Sequence, residues 1–179
     1  SEKTIRRFLL KRGFSVSSIW AMGSRIEEIE MAGRASVNLV VSYGGLRAAQ
    51  IMKKRFGQPY VIGVPIGPFQ DAVHQALLQA VRTGDNQYPC LQRTGDGTAN
   101  VAVIGESVYA SSLAAALEKA AGMPAQVLCP LEPAEQTLQK TDCRIASEQE
   151  LQACLREKSI IIADPLYQPV CPVSSRFIP

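Results

Sequence analysis

The chain has 179 residues, enough for one large or two small α/β units with a proper core. It is 46% hydrophobic and 20% charged, ordinary for a globular protein, and no apolar stretch approaches the roughly 20 residues that span a bilayer. A formal charge of +3 is too small to imply a nucleic-acid partner, and with 6% aromatic residues stacking platforms are scarce.

Residues 3–12 read as a helix with Ile5, Phe8 and Leu9 inward and Lys3, Arg6, Arg7, Lys11 and Arg12 outward. That basic face is a solvated helix surface or a dock for an acidic partner. Gly13 ends the helix, and Phe14 to Trp20 reads as a strand closed by Gly23. Ser24 and Glu27 have capping-box spacing for a helix carrying Ile26, Ile29 and Met31.

The stretch from Ser36 to Pro68 organises the chain. An apolar run (Val37, Leu39, Val40, Val41) breaks at Ser42-Tyr43-Gly44-Gly45, a helix-length segment follows, and Tyr60 to Val64 is a second apolar run. Short β-branched runs without polar alternation suit strands buried on both faces of a parallel sheet. Between them Leu46, Ala49, Met52 and Phe56 share one helical face, Lys53, Lys54 and Arg55 turn to water, and Gly57 is the stop. This is a βαβ unit. A further amphipathic helix carries Val73, Ala76, Leu77, Ala80 and Val81, with the lone histidine, His74, beside the stripe. Without a second ligand nearby, His74 is read as a helix-surface residue and not as a metal or proton-transfer group.

From Thr83 to Asn100 turn residues replace periodicity, which places a boundary between two halves, 1–93 and 94–179. The Gly95-Asp96-Gly97 run lacks the third glycine of a dinucleotide fingerprint and precedes a strand, so that reading is rejected. The second half repeats the first: a strand at 100–104, the turn Gly105-Glu106-Ser107, an alanine-rich helix to Gly122, and a strand at 125–129. A short strand at 143–146, a helix opened by Ser147 and Glu150, and a strand at 159–163 follow, ahead of a proline-rich tail that looks unfinished. The fold class expected is α/β: two tandem three-layer α/β/α Rossmann-like units with short, mostly parallel sheets.

Cys90, Cys129, Cys143, Cys154 and Cys171 are odd in number, widely spaced and without a C-x-x-C pair, so neither a disulfide framework nor a zinc or ferredoxin-type site is expected. Cys154, beside Leu151 and Leu155, reads as a small core residue, and a reduced, cytoplasmic protein is the expectation.

In open α/β sheets ligands bind beyond the carboxyl ends of the strands. Those ends are Ser42, Tyr43, Gly44 and Gly45, then Pro65, Ile66 and Gly67, and less centrally Gly105, Glu106 and Ser107. Glycines admit close approach to the backbone, and the helix starting near Gly45 aims free N–H groups at the same space, although from the residues alone Gly44-Gly45 is read first as a bare tight strand-to-helix turn.

The order Asn38-Leu39-Val40-x-Ser42-Tyr43, a helix, Phe56-Gly57-x-Pro59-Tyr60 and Gly67-Pro68 resembles the middle domain of nitrogenase component 1-type oxidoreductases. Ser24 to Ile29 and Val101 to Gly105 extend the resemblance more weakly. The resemblance implies the second and most of the third of three such units around a cofactor cleft, with the first, cluster-bridging unit outside this chain. It further implies a second component 1-like subunit and an ATP-dependent iron–sulfur reductase as partners. The ten turn residues would then cradle a metal cluster of iron–sulfur type or a tetrapyrrole-like ligand, with no cofactor expected in the fragment itself. Ser42 stands where the family's catalytic subunit has an iron-ligating cysteine, and a serine hydroxyl is a poor substitute for a thiolate on soft iron. Non-catalytic subunits of the family also lack that cysteine. A different reading is a chelatase-like or metal-chelate binding module without redox chemistry; a third is an assembly subunit with no chemistry.

Overall fold

The computed structural model describes residues 2–20, 23–94 and 99–179. Most of the rejected fingerprint, Gly95 to Thr98, lies outside them. All β pairing is parallel, in a two-stranded sheet and a five-stranded sheet. The expected α/β class with short parallel sheets is what forms.

The first sheet pairs β1 (Asn38–Val40) with β2 (Tyr60–Ile62), and α3 (Tyr43–Phe56) crosses between them. Alternation assigns the faces. Tyr60 and Ile62 join Val40 beneath Leu46 and Ala49 of α3, whereas Val61 faces Phe69, Val73, Leu77 and Ala80 of α4 (Phe69–Thr83). Val61, Ile62 and Val73 have no exposed surface, and full burial of such side chains contributes about 1.5–3 kcal/mol each. Gly57 ends α3 with φ 72°, the left-handed region that costs other residues more.

The second sheet has the order β5-β4-β3-β6-β7, from Cys143–Arg144, Ala125–Cys129, Val101–Ile104, Ile160–Ile162 and Arg176–Ile178. Val101 and Val103 pack on Ala110 and Ala114 of α5 (Ser107–Ala121). Ala102 and Ile104 face Leu151 and Leu155 of α6 (Glu148–Leu155). The result is three layers.

Several local expectations are corrected. Phe14 to Trp20 is extended but joins no sheet; Phe14 instead stands edge-on to His74, with ring centroids 6.1 Å apart. The capping contact of α2 (Ile26–Glu30) is one residue late: Arg25 N donates to Glu28 Oε2 at 3.2 Å, while Ser24 Oγ accepts from Ile19 N at 2.7 Å. Ile26, Ile29 and Met31 are exposed, because no layer among the described residues covers so short a helix. Phe56 is half exposed and lies over Gly33, where a Cβ would stand 3.1 Å from its ring. Val81 is exposed too, and Lys53 turns back to donate to the Gly84 carbonyl. The strand expected at 143–146 shrinks to Cys143–Arg144.

Part of the aperiodic stretch between the two halves is paired and packed. Gln87 pairs in parallel with Val61, donating to Tyr60 O at 3.0 Å and accepting from Ile62 N at 3.1 Å. Cys90 is fully buried, and the Arg93 guanidinium forms a buried ion pair with Asp142. Arg93 also donates to the carbonyls of Cys90 and Ala125, both at 3.2 Å, and Asp142 accepts from Val127 N and Gln139 N. The proline-rich tail carries structure of its own. Asp164 caps a 3₁₀ turn at 165–170, and β7 then adds a strand to β6.

Candidate functional site

The three turns singled out in the sequence lie at the carboxyl ends of β1, β2 and β3. Ser42 is the N-cap residue of α3, with an exposed side chain that makes no capping bond. Gly44 and Gly45 are exposed, and a Cβ at Gly44 would meet only Ser42 Oγ, at 3.9 Å. After β2, Gly63 N donates to Val40 O at 3.0 Å and the buried Val64 N donates to Ser112 Oγ at 2.8 Å. Pro65 and Ile66 are half-buried, with Ile66 packed against core clusters on both faces of the first sheet. Gly67 is exposed with φ 44°, where a side chain would strain the turn.

Glu106 joins the first and third turns. As the N-cap of α5 it accepts from Val108 N (2.9 Å) and Tyr109 N (3.3 Å), and its Oε1 also accepts from Tyr43 N of α3 at 3.0 Å. One carboxylate therefore sits at the positive ends of two helices from different sheets. The N–H groups expected to be free for a ligand are, at Tyr43, already taken. Ser107 is fully buried; its Oγ donates to Glu106 Oε1 at 3.3 Å and accepts from Ala134 N at 2.8 Å. Gly105 is half-buried and donates to Leu128 O at 3.2 Å. Ser42 to Gly45 and Gly105 to Ser107 thus touch directly, and Pro65 to Gly67 joins them through Ile66 and the Val64–Ser112 bond.

Three further residues belong here that sequence reasoning missed. Glu132 lies near the Tyr43 hydroxyl; desolvation first, then the Glu132 charge, hold that hydroxyl above the usual tyrosine range. Exposed Arg144, at the end of β5, acts on Tyr43 in the opposite sense. The Cys129 thiol at the end of β4 donates to Leu131 O at 3.3 Å and is pushed up chiefly by burial and, less, by Glu106. Only the strand-end rule pointed this way: Glu132 falls in a connector without periodicity, and Arg144 closes the two-residue strand β5.

The donor set does not fit a metal centre. Among the described residues no three His, Cys, Asp or Glu side chains are placed to hold an ion. Ser42 offers a hydroxyl, Cys129 is sealed under a carbonyl, and His74 lies on α4 against Arg12 and Phe14. A hollow of about 520 Å³ opens elsewhere, between α4 and residues 87–92, lined by Asp71, Gln75, Gln79, Tyr88, Gln92 and Lys119 among others.

These features define a class: a parallel α/β protein with its polar turns gathered where the strands end. A family model described as nitrogenase component 1 type oxidoreductase matches residues 3–149, most of the chain. The chain belongs to that family. Comparison with curated proteins and with solved structures returned no match. No described helix is long and apolar enough to cross a membrane.

Proposed function

We propose that this chain is a component 1-type subunit whose strand-end turns form one wall of a ligand cleft. Residues 1–93 would correspond to the family's middle unit and 94–179 to its last. Ser42, Tyr43, Gly44, Gly45, Pro65, Ile66, Gly67, Gly105, Glu106 and Ser107 are the proposed lining, joined by Glu132 and Arg144. The observation that carries this reading is the meeting of two helix N-termini and two strand ends at Glu106 and Tyr43, inside a family match spanning both sheets.

Of the two ligand classes, the wall favours a tetrapyrrole-like molecule over a metal cluster, because it offers glycine backbone, hydroxyls and an exposed guanidinium but no accessible thiolate. A cluster here would be ligated by another polypeptide. Family membership supports a second component 1-like subunit as partner and an ATP-dependent iron–sulfur reductase as electron source. The five free cysteines support a reducing, cytoplasmic setting.

A carboxylate-bearing free-base porphyrin is a suitable probe, followed by its absorbance under anaerobic conditions. Saturable binding is expected, weakened at least tenfold in Gly44→Trp, whose added Cβ would have Ser42 Oγ, at 3.9 Å, as its nearest neighbour. Absent binding, or binding indifferent to that substitution, would refute the cleft. Stoichiometric iron and sulfide on the freshly isolated chain would refute the claim that it supplies no metal ligands. Binding that persists with dithionite present, yet never gives a reduced product once subunit and reductase are added, would select the metal-chelate binding module.

A further inference from the structure

Residues 86–88 form an edge of the first sheet. Gln87 gives both its backbone groups to β2, bonding Tyr60 O and Ile62 N, which flank its partner Val61. In an extended segment the neighbouring residues aim theirs the other way, away from β2. Asn86 O and Tyr88 N accordingly have no hydrogen-bond partner among the described residues. They flank Gln87 as Tyr60 O and Ile62 N flank Val61, and so offer one more parallel bridge of the same pattern. Unpaired edges of this kind are templates for another strand.

The hollow of about 520 Å³ lies between this edge and α4. The Tyr88 ring stands edge-on to Tyr60, centroids 6.3 Å apart, in the cluster on the α3 side of the sheet, so Tyr88 turns backbone and not ring towards the hollow. That leaves no platform for stacking a base or a sugar. Ala72, Ala76 and Pro89 make a low floor, and the amides of Gln75, Gln79 and Gln92 have no partner among the described residues. Each such amide can donate to and accept from a peptide group. From Asp71 to Gln79 the trough follows about 12 Å of helix, the length of about four extended residues. Its charge is one-sided. Asp71 is already paired with Arg12, whereas Lys119, and Arg82 one turn past Gln79 on the same face of α4, have no acidic partner among the described residues.

We propose that this trough is a docking site for an extended acidic segment of another polypeptide, which adds a parallel strand beside Gln87. Its backbone bridges Asn86 O and Tyr88 N, the glutamine amides take its remaining peptide groups, and its carboxylates meet Lys119 and Arg82. Main-chain pairing supplies affinity without reading sequence, and the two cations select the acidic partner. The site lies apart from the strand-end turns, so it does not depend on what those turns bind.

The probe is an N-acetylated, fluorescently labelled peptide of about eight residues alternating valine and glutamate, titrated against the chain at low salt and followed by anisotropy. Saturable binding is expected, weakened by roughly tenfold in Lys119→Glu. It should be lost when the peptide nitrogens are methylated, because a methylated nitrogen cannot donate to Asn86 O. Amide exchange gives a second measurement that needs no substitution. Tyr88 N should exchange freely in the chain alone and be protected by the peptide, while Ile62 N and Gln87 N, already bonded, stay as they were. Absent binding, or equal binding of the methylated peptide or of one alternating valine and lysine, overturns the proposal. So does a Tyr88 amide protected before any peptide is added, since the edge would then be covered by this chain or by a second copy of it.

Discussion

Single side chains make this fold sensitive to alkali. The Cys90 thiol, sealed between Ile62 O at 3.8 Å and Ser112 Oγ at 3.6 Å, is pushed up to about 11, chiefly by burial. Unfolding returns it to the ordinary thiol value of about 9, so above that pH the unfolded chain releases the proton first and is favoured. Stability is therefore fully present below about pH 9 and drains away up to about pH 11, by on the order of 3 kcal/mol. Urea denaturation at a series of pH values should show the fall, and Cys90→Ala should flatten it. An unchanged slope in that variant would mean that the thiol is not the source. Arg93 and Asp142 are different: each is satisfied by backbone groups as well as by the other, the condition under which a buried pair is tolerated.

At the scale of elements, caps and covers decide what holds. Two helices from different sheets share one carboxylate, so Glu106→Ala removes the α5 cap and uncouples it from α3 at once. A cost of about 1–2 kcal/mol is expected, with Glu106→Gln losing less. Amide exchange distinguishes a shared cap from a local one: Tyr43 N should lose protection together with Val108 N and Tyr109 N. Retained protection at Tyr43 would confine Glu106 to its own helix. Helix α2 shows the opposite case, with capping residues and an apolar stripe in its sequence but Ile26 and Ile29 left exposed. Its spacing was legible; its burial was not, because periodicity says which residues share a face and never what that face meets.

Considered as a whole, the molecule is sewn together across its midpoint. Ala115 and Ala116 of α5 complete the core around Val61 and Phe69, and Val108 with Ala134 completes the one around Val40 and Ile62. The Val64–Ser112 hydrogen bond and the buried Arg93–Asp142 pair add polar stitches. Fragment 1–94 on its own should therefore unfold without a cooperative transition, because the α4 face and the first sheet would lose their cover. A sigmoidal urea transition for that fragment, followed by circular dichroism, would show instead that the first sheet is self-sufficient.

The parallel strands, their crossover helices and the strand-end turns were readable from residue types alone, because buried β-branched runs and helix-stopping glycines act over a few neighbours. The family likeness was equally readable, carried by ordered pieces of chain at fixed spacing. Tertiary structure alone decided that Gln87 would join a sheet, that residues 176–178 would cover an open edge, and that Glu106 would occupy the backbone donors of a distant helix. Those contacts join positions 25 to 27 residues apart for Gln87, 16 apart for β6 and β7, and 63 apart for Tyr43 and Glu106, and contacts between such distant positions leave no periodicity in either segment.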